Sequence, residues 1–165
     1  MLQSITVIIL LASLFDNILY FFIIISFLPY IAACDKHFTD SSGTLTSPVH
    51  FTGRSGNTPA LTYQSNLDCE YDIQVAPGNA IRLTWFSFDV KGTMPSCAND
   101  YVEIFIGCDR RSIGKYCSEN TRKELFDVYS PDNCLSLKFH SDSKDGGKGF
   151  RASYNTISYS SGNKI

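Results

Sequence analysis

The chain is 165 residues long and carries 14 lysines and arginines against 16 aspartates and glutamates, so its net charge at pH 7 is −2. This length suits one domain with one core and excludes two domains of ordinary size. The nearly balanced charge gives no basis for a nucleic-acid or membrane-surface partner, because such partners bind proteins with a basic surface.

Residues 1–33 form an apolar leader that differs from the rest of the chain. They contain no lysine or arginine, and their only charge is Asp16. An apolar run over 18–28, followed by the small residues of YIAA at 30–33, is typical of a signal peptide cleaved after Ala33. We therefore predict a secreted, extracellular protein. Because the leader has no basic start, a membrane-anchored protein with an uncleaved leader is the alternative. Against it, a membrane-spanning helix needs about 20 apolar residues, and Asp16-Asn17 and Pro29 interrupt the run.

Six cysteines follow the leader, and they are Cys34, Cys69, Cys97, Cys108, Cys117 and Cys134. An even number of cysteines behind a secretory leader indicates disulfides formed in an oxidising compartment, and all fifteen pairings are open at this point. The letters IAAC also resemble a bacterial lipoprotein cleavage box, which would place lipid on the first cysteine and leave five. A zinc site is not expected, because the chain has no C-x2-C pair.

Beyond the leader, apolar residues recur with a period of two, which is typical of half-buried β-strands. The stretches that show it are 69–75, 81–89, 101–106, 135–139 and 150–154. Clusters of Gly, Pro, Asn and Ser separate them, as in an antiparallel sandwich or barrel. The sequence therefore predicts an all-β domain.

Two segments are less regular. The parity of the apolar residues changes between Trp85 and Phe86, so we predict a β-bulge there, with Trp85, Phe86 and Phe88 packed in the core. The segment 50–66 is rich in turn formers and is predicted to be a long surface loop or edge segment. The tail, 158–165, is predicted to be flexible.

Eight segments, taken in order, resemble a CUB domain. They are Cys34, GTLTSP at 43–48, CEYDI at 69–73, PGNAIRLTWFSFD at 77–89, CANDYVEI at 97–104, YC at 116–117, LSLKFHSD at 135–142 and GFRASY at 149–154. Their order and spacing place a CUB domain over 34–157. The resemblance implies an antiparallel jelly-roll β-sandwich of about ten strands.

The resemblance also implies a pairing of the cysteines. It joins Cys34 to Cys69 and Cys97 to Cys117, which leaves Cys108 and Cys134 as an extra pair. One follows the 101–106 strand and the other precedes the 135–139 strand, but their parities differ. A bond between them is therefore expected beyond the regular ladder.

In many CUB domains a calcium ion at one end of the sandwich organises loops that bind a lysine of a partner protein. The resemblance places two of its acidic ligands at Asp100 and Asp142. The third acid falls at Lys91 or Gly92, which cannot serve, so Asp145 would have to compensate. Calcium is thus a candidate cofactor. The alternative is that the acids belong to a solvated turn, in which the glycines of DGG supply positive φ.

Three further residues concern this candidate site. His50 stands where the family has a tyrosine, which is a second departure from its pattern. The carbonyl groups around Ser143 could supply more ligands. Asp89 could bind metal, and it could equally accept hydrogen bonds from neighbouring backbone amides.

No catalytic motif is present, because none of the three histidines lies in a metalloprotease sequence or beside a nucleophile elbow. We therefore predict that the protein is not an enzyme. Tyr101 and Phe105 lie on the outward face of their predicted strand and are candidates for a binding surface.

These observations predict a secreted binding module that makes noncovalent contacts with an extracellular protein or glycan, with a layout similar to that of the spermadhesins. One alternative is a non-catalytic regulator or accessory piece of an extracellular protease system, which would bind a partner lysine at the acidic loops. Another is a membrane-anchored adhesion or receptor stub, if the leader is retained.

Overall fold

The structure is a computed structural model that describes residues 34–55, 58–117, 126–144 and 146–158. The leader and Asp145 therefore lie outside the described residues, as does the tail beyond Ser158. In the described part, the chain forms eleven strands. They are β1 (Lys36–Phe38), β2 (Ser42–Thr46), β3 (Val49–Ser55), β4 (Thr58–Tyr63), β5 (Asp68–Gln74), β6 (Asn79–Asp89), β7 (Tyr101–Ile106), β8 (Arg111–Tyr116), β9 (Val128–Ser130), β10 (Cys134–His140) and β11 (Gly149–Ser158).

The strands form two main sheets and one hairpin. A five-stranded sheet has the order β1-β5-β10-β7-β8, and a four-stranded sheet has the order β2-β11-β6-β9. The strand β1 runs parallel to β5, whereas the neighbours in the rest of both sheets are antiparallel. This is the predicted all-β sandwich. Over the described residues, we find no helix with the length and apolarity that a membrane crossing requires.

The core lies where the inward faces of the two sheets meet. Its centre is Phe150 of β11, whose ring packs edge-on against Tyr71 at 5.6 Å and Phe139 at 5.8 Å in the five-stranded sheet. The inward residues alternate along each strand as the sequence predicts, and they include Leu45, Ile73, Ile81, Leu83, Val102, Ile104, Leu135, Leu137, Ala152 and Tyr154. Each buried alternation fixes the register of its strand.

Three disulfides cross-link the described chain. They join Cys34 to Cys69, Cys97 to Cys117 and Cys108 to Cys134, which is the pairing that the resemblance implies. The last bond lies where the β7–β10 ladder ends, because the final ladder pair is Leu135 with Ile106.

A bulge occurs in β6 as predicted, but one of the core assignments there is wrong. Arg151 pairs with Ser87 and Ala152 with Trp85, so Phe86 is the extra residue. The bulge turns its side chain outward, and Phe86 is 49% exposed, whereas Phe88 is buried.

Of the two alternatives predicted for 50–66, a long surface loop or an edge segment, the loop is wrong. The strands β3 and β4 pair with each other as a separate two-stranded hairpin, and their register shifts between Phe51 and Gly53. The turn formers of this segment thus lie in paired strands, and the register shift is the kind of irregularity at which such residues occur in strands. The hairpin ends at Tyr63, which is buried against Phe139 with ring centroids 5.0 Å apart.

Candidate functional site

The residues that the sequence singles out meet at one end of the sandwich, which we call the loop end. Asp100 immediately precedes β7, and Asp142 follows the end of β10. The antiparallel register pairs Tyr101 with His140, so it brings both acids to the same edge. Tyr63, the last residue of β4, reaches the same place.

Asp100 is a buried carboxylate with two hydrogen bonds. Asp100 is only 2% exposed. The Tyr63 hydroxyl donates to Oδ2 at 2.5 Å, and the Asp142 backbone amide donates to Oδ1 at 2.8 Å. The Tyr63 hydroxyl in turn accepts a hydrogen bond from the Lys91 amide at 2.9 Å. Burial of Tyr63, reinforced by its bond to Asp100, raises the pKa of this phenol well above its usual value.

Asp142 is more exposed, and its two oxygens are also engaged. The Lys144 amide donates to Oδ1 at 2.7 Å, and Nδ2 of Asn99 donates to Oδ2 at 2.7 Å. The hydrogen bond from the Lys144 amide, and to a smaller extent that from Asn99, holds the pKa of the Asp142 carboxyl below its ordinary value. The first bond closes a tight turn two residues long, as expected of an acid in a turn.

The structure also locates the neighbouring residues that the sequence analysis names. Asp89 accepts a hydrogen bond from the Lys148 amide at 3.1 Å, so it binds backbone. The glycines at 146 and 147 do not have positive φ, contrary to the prediction. Neither position has room for a side chain. A Cβ at Gly146 would lie 2.5 Å from the Tyr63 carbonyl oxygen, and a Cβ at Gly147 would lie 2.4 Å from the Asp89 carbonyl oxygen.

Two adjoining cavities open at the loop end and share Lys144. The larger has a volume of about 560 Å³, and its lining includes Lys91, Thr93, Asn99, Asp100 and Asp142. The smaller, of about 370 Å³, lies along the β3–β4 hairpin, and its lining includes His50, Thr62, Tyr63 and Ser65. Acids and lysines therefore line the larger cavity together.

The oxygen atoms at the loop end can be compared with the ligands that calcium needs. Calcium needs six to eight oxygen ligands. All four carboxylate oxygens of Asp100 and Asp142 already accept hydrogen bonds from protein donors. In the described part of the chain, every buried side-chain nitrogen and oxygen has a hydrogen-bond partner. No buried side-chain nitrogen or oxygen in that part of the chain is therefore left without a partner.

The two positions that could correspond to the family's third acid, Lys91 and Gly92, do not supply a carboxylate either. Lys91 has no oxygen on its side chain with which to bind a cation. Gly92 has φ of +151°, and a Cβ there would lie 2.8 Å from Cys117 Sγ, so no acidic side chain fits. The described residues therefore bring two acids, Asp100 and Asp142, to one cavity beside Lys91, while Asp145 lies outside them.

One other group of possible ligands comes together, at the opposite end of the sandwich. It contains Cys108, Asp132 and Cys134. Both sulfur atoms are joined in a disulfide. The group therefore lacks the free thiolates that bind transition metals.

The two aromatic residues suggested as a binding surface are half-buried on the outer face of the five-stranded sheet. The Tyr101 ring stacks on His140 with ring centroids 5.0 Å apart, and Lys115 Nζ lies 3.8 Å from its centroid. The guanidinium of Arg110 covers Phe105 at 5.3 Å and also pairs with Glu70 at 2.9 Å. Charged side chains thus cover both rings.

Two more exposed groups were missed by the sequence analysis. The hairpin exposes Val49, Phe51 and Leu61, and the outer face of the four-stranded sheet exposes Phe86 and Tyr129. The period-two positions of Val49 and Phe51 were visible in the sequence, but their pairing with β4 was not.

Comparison with known proteins identifies the family. A model of the CUB domain family matches residues 34–154. The chain belongs to the CUB domain family. Rat cubilin is 32% identical to it over 126 residues, which are 75% of this chain and 3% of that protein. Mouse neuropilin-2 is 33% identical over 131 residues, which are 75% of this chain and 13% of that protein.

The fold is also that of solved CUB domains. The MASP-1 CUB2 domain bound to Ca2+ is similar with a TM-score of 0.58 and 24% identity, over 73% of this chain and 96% of that domain. This likeness shows the fold alone. Because the chain spans about 3% of the length of the cubilin it matches, the activities of those whole proteins do not carry over to it.

Proposed function

We propose that the protein is a secreted, non-catalytic module that binds an extracellular protein through its β3–β4 hairpin. The family and its relatives in extracellular proteins such as cubilin and neuropilin support an extracellular binding module. The observation that carries the proposal is the exposed apolar face of the hairpin. Signal-peptide cleavage after Ala33 is part of the proposal, and N-terminal sequencing of protein from culture medium tests it.

The hairpin presents apolar side chains that the rest of the described chain does not cover. Phe51 is 59% exposed, Leu61 is 47% exposed and Val49 is 45% exposed. Phe51 and Leu61 are direct cross-strand partners, so their side chains lie on the same face. Exposed apolar groups that lie together mark sites of protein interaction more often than scattered ones do.

The opposite face of the hairpin is polar. His50 and Thr62 are cross-strand partners, so they lie together on the other face of the hairpin. Both line the smaller cavity, which Lys144 joins to the larger one. The two faces of the hairpin therefore differ, and the apolar face is the one proposed to contact a protein.

The proposal is preferred to docking of a partner lysine at the acidic loops. A lysine would need carboxylate oxygens that are accessible and available. Asp100 is 2% exposed, and the oxygens of Asp142 accept bonds from Asn99 and Lys144. If Asp142→Ala abolished binding of a protein partner while the hairpin variants retained it, the lysine-docking alternative would be correct.

The test is a screen of labelled, oxidised protein against cells that display receptor ectodomains and secreted proteins one at a time. We expect saturable binding to a protein that is lost when Phe51 and Leu61 are both replaced by serine. The matched control is Phe86→Ser, which removes an equally exposed ring from a different face. Equal binding by the hairpin variant and the wild type would exclude the hairpin.

A second candidate is glycan binding on the outer face of the four-stranded sheet. There Arg151 lies over the exposed Phe86 ring at 5.3 Å, and Arg82 lies over the exposed Tyr129 ring at 5.9 Å. Sugar rings stack their C–H faces on aromatic rings, and their hydroxyls bond to the multiple donors of arginine. Thr84 and Ser153 are a cross-strand pair between these two groups.

An immobilised panel of neutral, sulfated and sialylated oligosaccharides tests this candidate. Glycan binding is expected to disappear when Phe86 and Tyr129 are both replaced by alanine, and to persist when Phe51 and Leu61 are both replaced by serine. Absence of binding to every member of the panel would remove the candidate.

A further inference from the structure

The three disulfides that the structure describes differ in how far solvent can reach them. In two of them, every cysteine is at most 7% exposed. In the third, Cys108 is exposed and Cys134 is half-buried. Thiol–disulfide exchange requires a thiolate to reach a sulfur atom, and exposed disulfides are the labile ones. Of these three bonds, the one between Cys108 and Cys134 is therefore open to a thiol from solution while the domain stays folded.

One of the shielded bonds is covered closely on both of its sulfur atoms. Met94 Sδ lies 3.2 Å from Cys97 Sγ. A Cβ on Gly92 would lie 2.8 Å from Cys117 Sγ, so the backbone at this glycine packs directly against the second sulfur. A thiolate could reach either sulfur only if these segments moved away. This bond should therefore exchange only when the chain opens.

The exposed bond lies between two segments that are also joined by backbone hydrogen bonds. Oδ2 of Asp132 accepts a hydrogen bond from the Cys108 amide at 3.3 Å, and Oδ1 accepts one from the Cys134 amide at 3.2 Å. The Gly107 amide donates to the Cys134 carbonyl at 3.2 Å, beside the first pair of the β7–β10 ladder. None of these hydrogen bonds uses a sulfur atom, so all of them can remain when the bond between the sulfur atoms breaks.

We propose that Cys108 is a modification site for small thiols, which form a mixed disulfide with it while the domain stays folded. The attacking thiolate forms a bond to Cys108 Sγ, the Cys108–Cys134 bond breaks, and Cys134 leaves as a thiolate. One disulfide replaces another, so no net oxidation or reduction takes place. The attack falls on Cys108 because it is the more exposed of the two. The Cys134 thiolate, which Asp132 keeps nearby, reverses the reaction by attacking Cys108 Sγ and expelling the thiol.

Modification removes the covalent link between the start of β10 and the turn that follows β7. This turn carries Arg110, whose guanidinium covers Phe105 and pairs with Glu70 and Asp72 on the outer face of the five-stranded sheet. Opening the bond therefore loosens the segment that covers this ring. The bond lies at the opposite end of the sandwich from the loop end, so the proposal stands whether or not the hairpin binds a partner.

The test treats oxidised protein from a secretory host with cysteamine under native conditions, followed by acid quenching, alkylation and fragment-ion mass spectrometry. Cysteamine is small and positively charged, which suits a sulfur atom that lies 3.8 Å from an Asp132 carboxylate oxygen. At early times we expect cysteamine on Cys108 and the alkyl group on Cys134. The two shielded bonds are the internal control and should react at least about tenfold more slowly. Equal rates at all three bonds, or first addition to Cys134, would overturn the proposal.

Melting the modified protein tests whether the fold persists. The fluorescence of Trp85 should stay native, and Tm should fall by about 10 °C, because the unfolded chain is less constrained. Asp132→Ala should lower Tm more in the modified protein than in the disulfide-bonded one, since its hydrogen bonds then hold the two segments without covalent help. The matched control is Asp109→Ala, which should have the same effect in both forms. Loss of native fluorescence on modification would overturn the proposal, as would an equal effect of Asp132→Ala in both forms.

Discussion

The strands β7 and β10 are joined at both of their ends, but by different means. At one end, the Cys108–Cys134 disulfide links the turn that follows β7 to the first residue of β10. At the loop end, the link is noncovalent, because the Asp142 amide and the Tyr63 hydroxyl bond to the buried Asp100 carboxylate. The same pair of strands thus has a covalent clamp and a polar clamp.

This difference shows what each clamp needs from the rest of the fold. The disulfide constrains the unfolded chain and works wherever the two sulfur atoms can meet. The polar clamp stabilises only the folded state, because its donors come from positions far apart in sequence. Tyr63 and Asp100 are separated by 37 residues. Changes at the two ends should therefore differ in size and in their dependence on pH.

The largest effect is expected at the covalent end. Replacing Cys108 and Cys134 together with serine should reduce the free energy of unfolding by about 3 kcal/mol, because the bond closes a loop with a sequence separation of 26. Urea unfolding followed by tryptophan fluorescence measures this loss. A loss smaller than that of Asp100→Asn would reverse the order of the two clamps.

A smaller loss is expected at the polar end. Asp100→Asn keeps the size of the side chain but replaces one acceptor oxygen with a donor, next to groups that also donate. The loss should be about 1–3 kcal/mol, as for a buried polar group left with a poor partner. The same urea experiment measures it, with the more exposed Asp142→Asn as control. Equal losses in the two variants would mean that burial of Asp100 contributes little.

The pH dependence should distinguish the polar clamp from the disulfide. The pKa of Asp142 is lowered in the folded state, chiefly by the Lys144 amide and then by Asn99. Its contribution to stability is thus present above the unfolded value of about 3.9 and is lost as the pH falls through the lower folded pKa.

Urea midpoints for the wild type and for Asp142→Asn, measured from pH 7 to pH 3, check this expectation. The two proteins should differ most at pH 7 and converge towards pH 3. A difference that grows as the pH falls would contradict the direction of the shift.

The smallest effect is expected for a carboxylate on the surface. Asp127 accepts hydrogen bonds from Arg82, and its pKa is lowered by that partner, but both side chains are partly exposed. Asp127→Asn should therefore cost about 0–1 kcal/mol, as is usual for ion pairs at the surface. Thermal melting at low and high salt measures it. A loss as large as that of Asp100→Asn would show that burial does not set the difference between the acids.

Six cysteines behind a leader predicted disulfides, and the alternation of residues such as Val102 and Ile104 predicted the sandwich. The pairing of Cys108 with Cys134 came only from the family resemblance. The proximity of Asp100 and Asp142 followed from the family resemblance. The partner of Asp100 did not, because Tyr63 lies in a segment whose turn formers hid a hairpin.

The exposed surfaces were the least predictable part. Phe86 belongs to an apolar run, and only the bulge opposite Arg151 decides that it faces outward. Tyr101 and Phe105 do face outward, but Lys115 of β8 and Arg110 of the turn before β8 cover them. Such coverage depends on which segments become neighbours in the fold, which the alternation within one strand does not show.

Amide hydrogen exchange at the loop end tests the polar clamp most directly. The Lys91 amide bonds to the Tyr63 hydroxyl, and the Asp142 amide bonds to the Asp100 carboxylate. We predict that both amides are protected in excess chelator and that millimolar calcium leaves their exchange rates unchanged. Rapid exchange in chelator, with protection that appears only on addition of calcium, would contradict the account and make the loop end dependent on an ion.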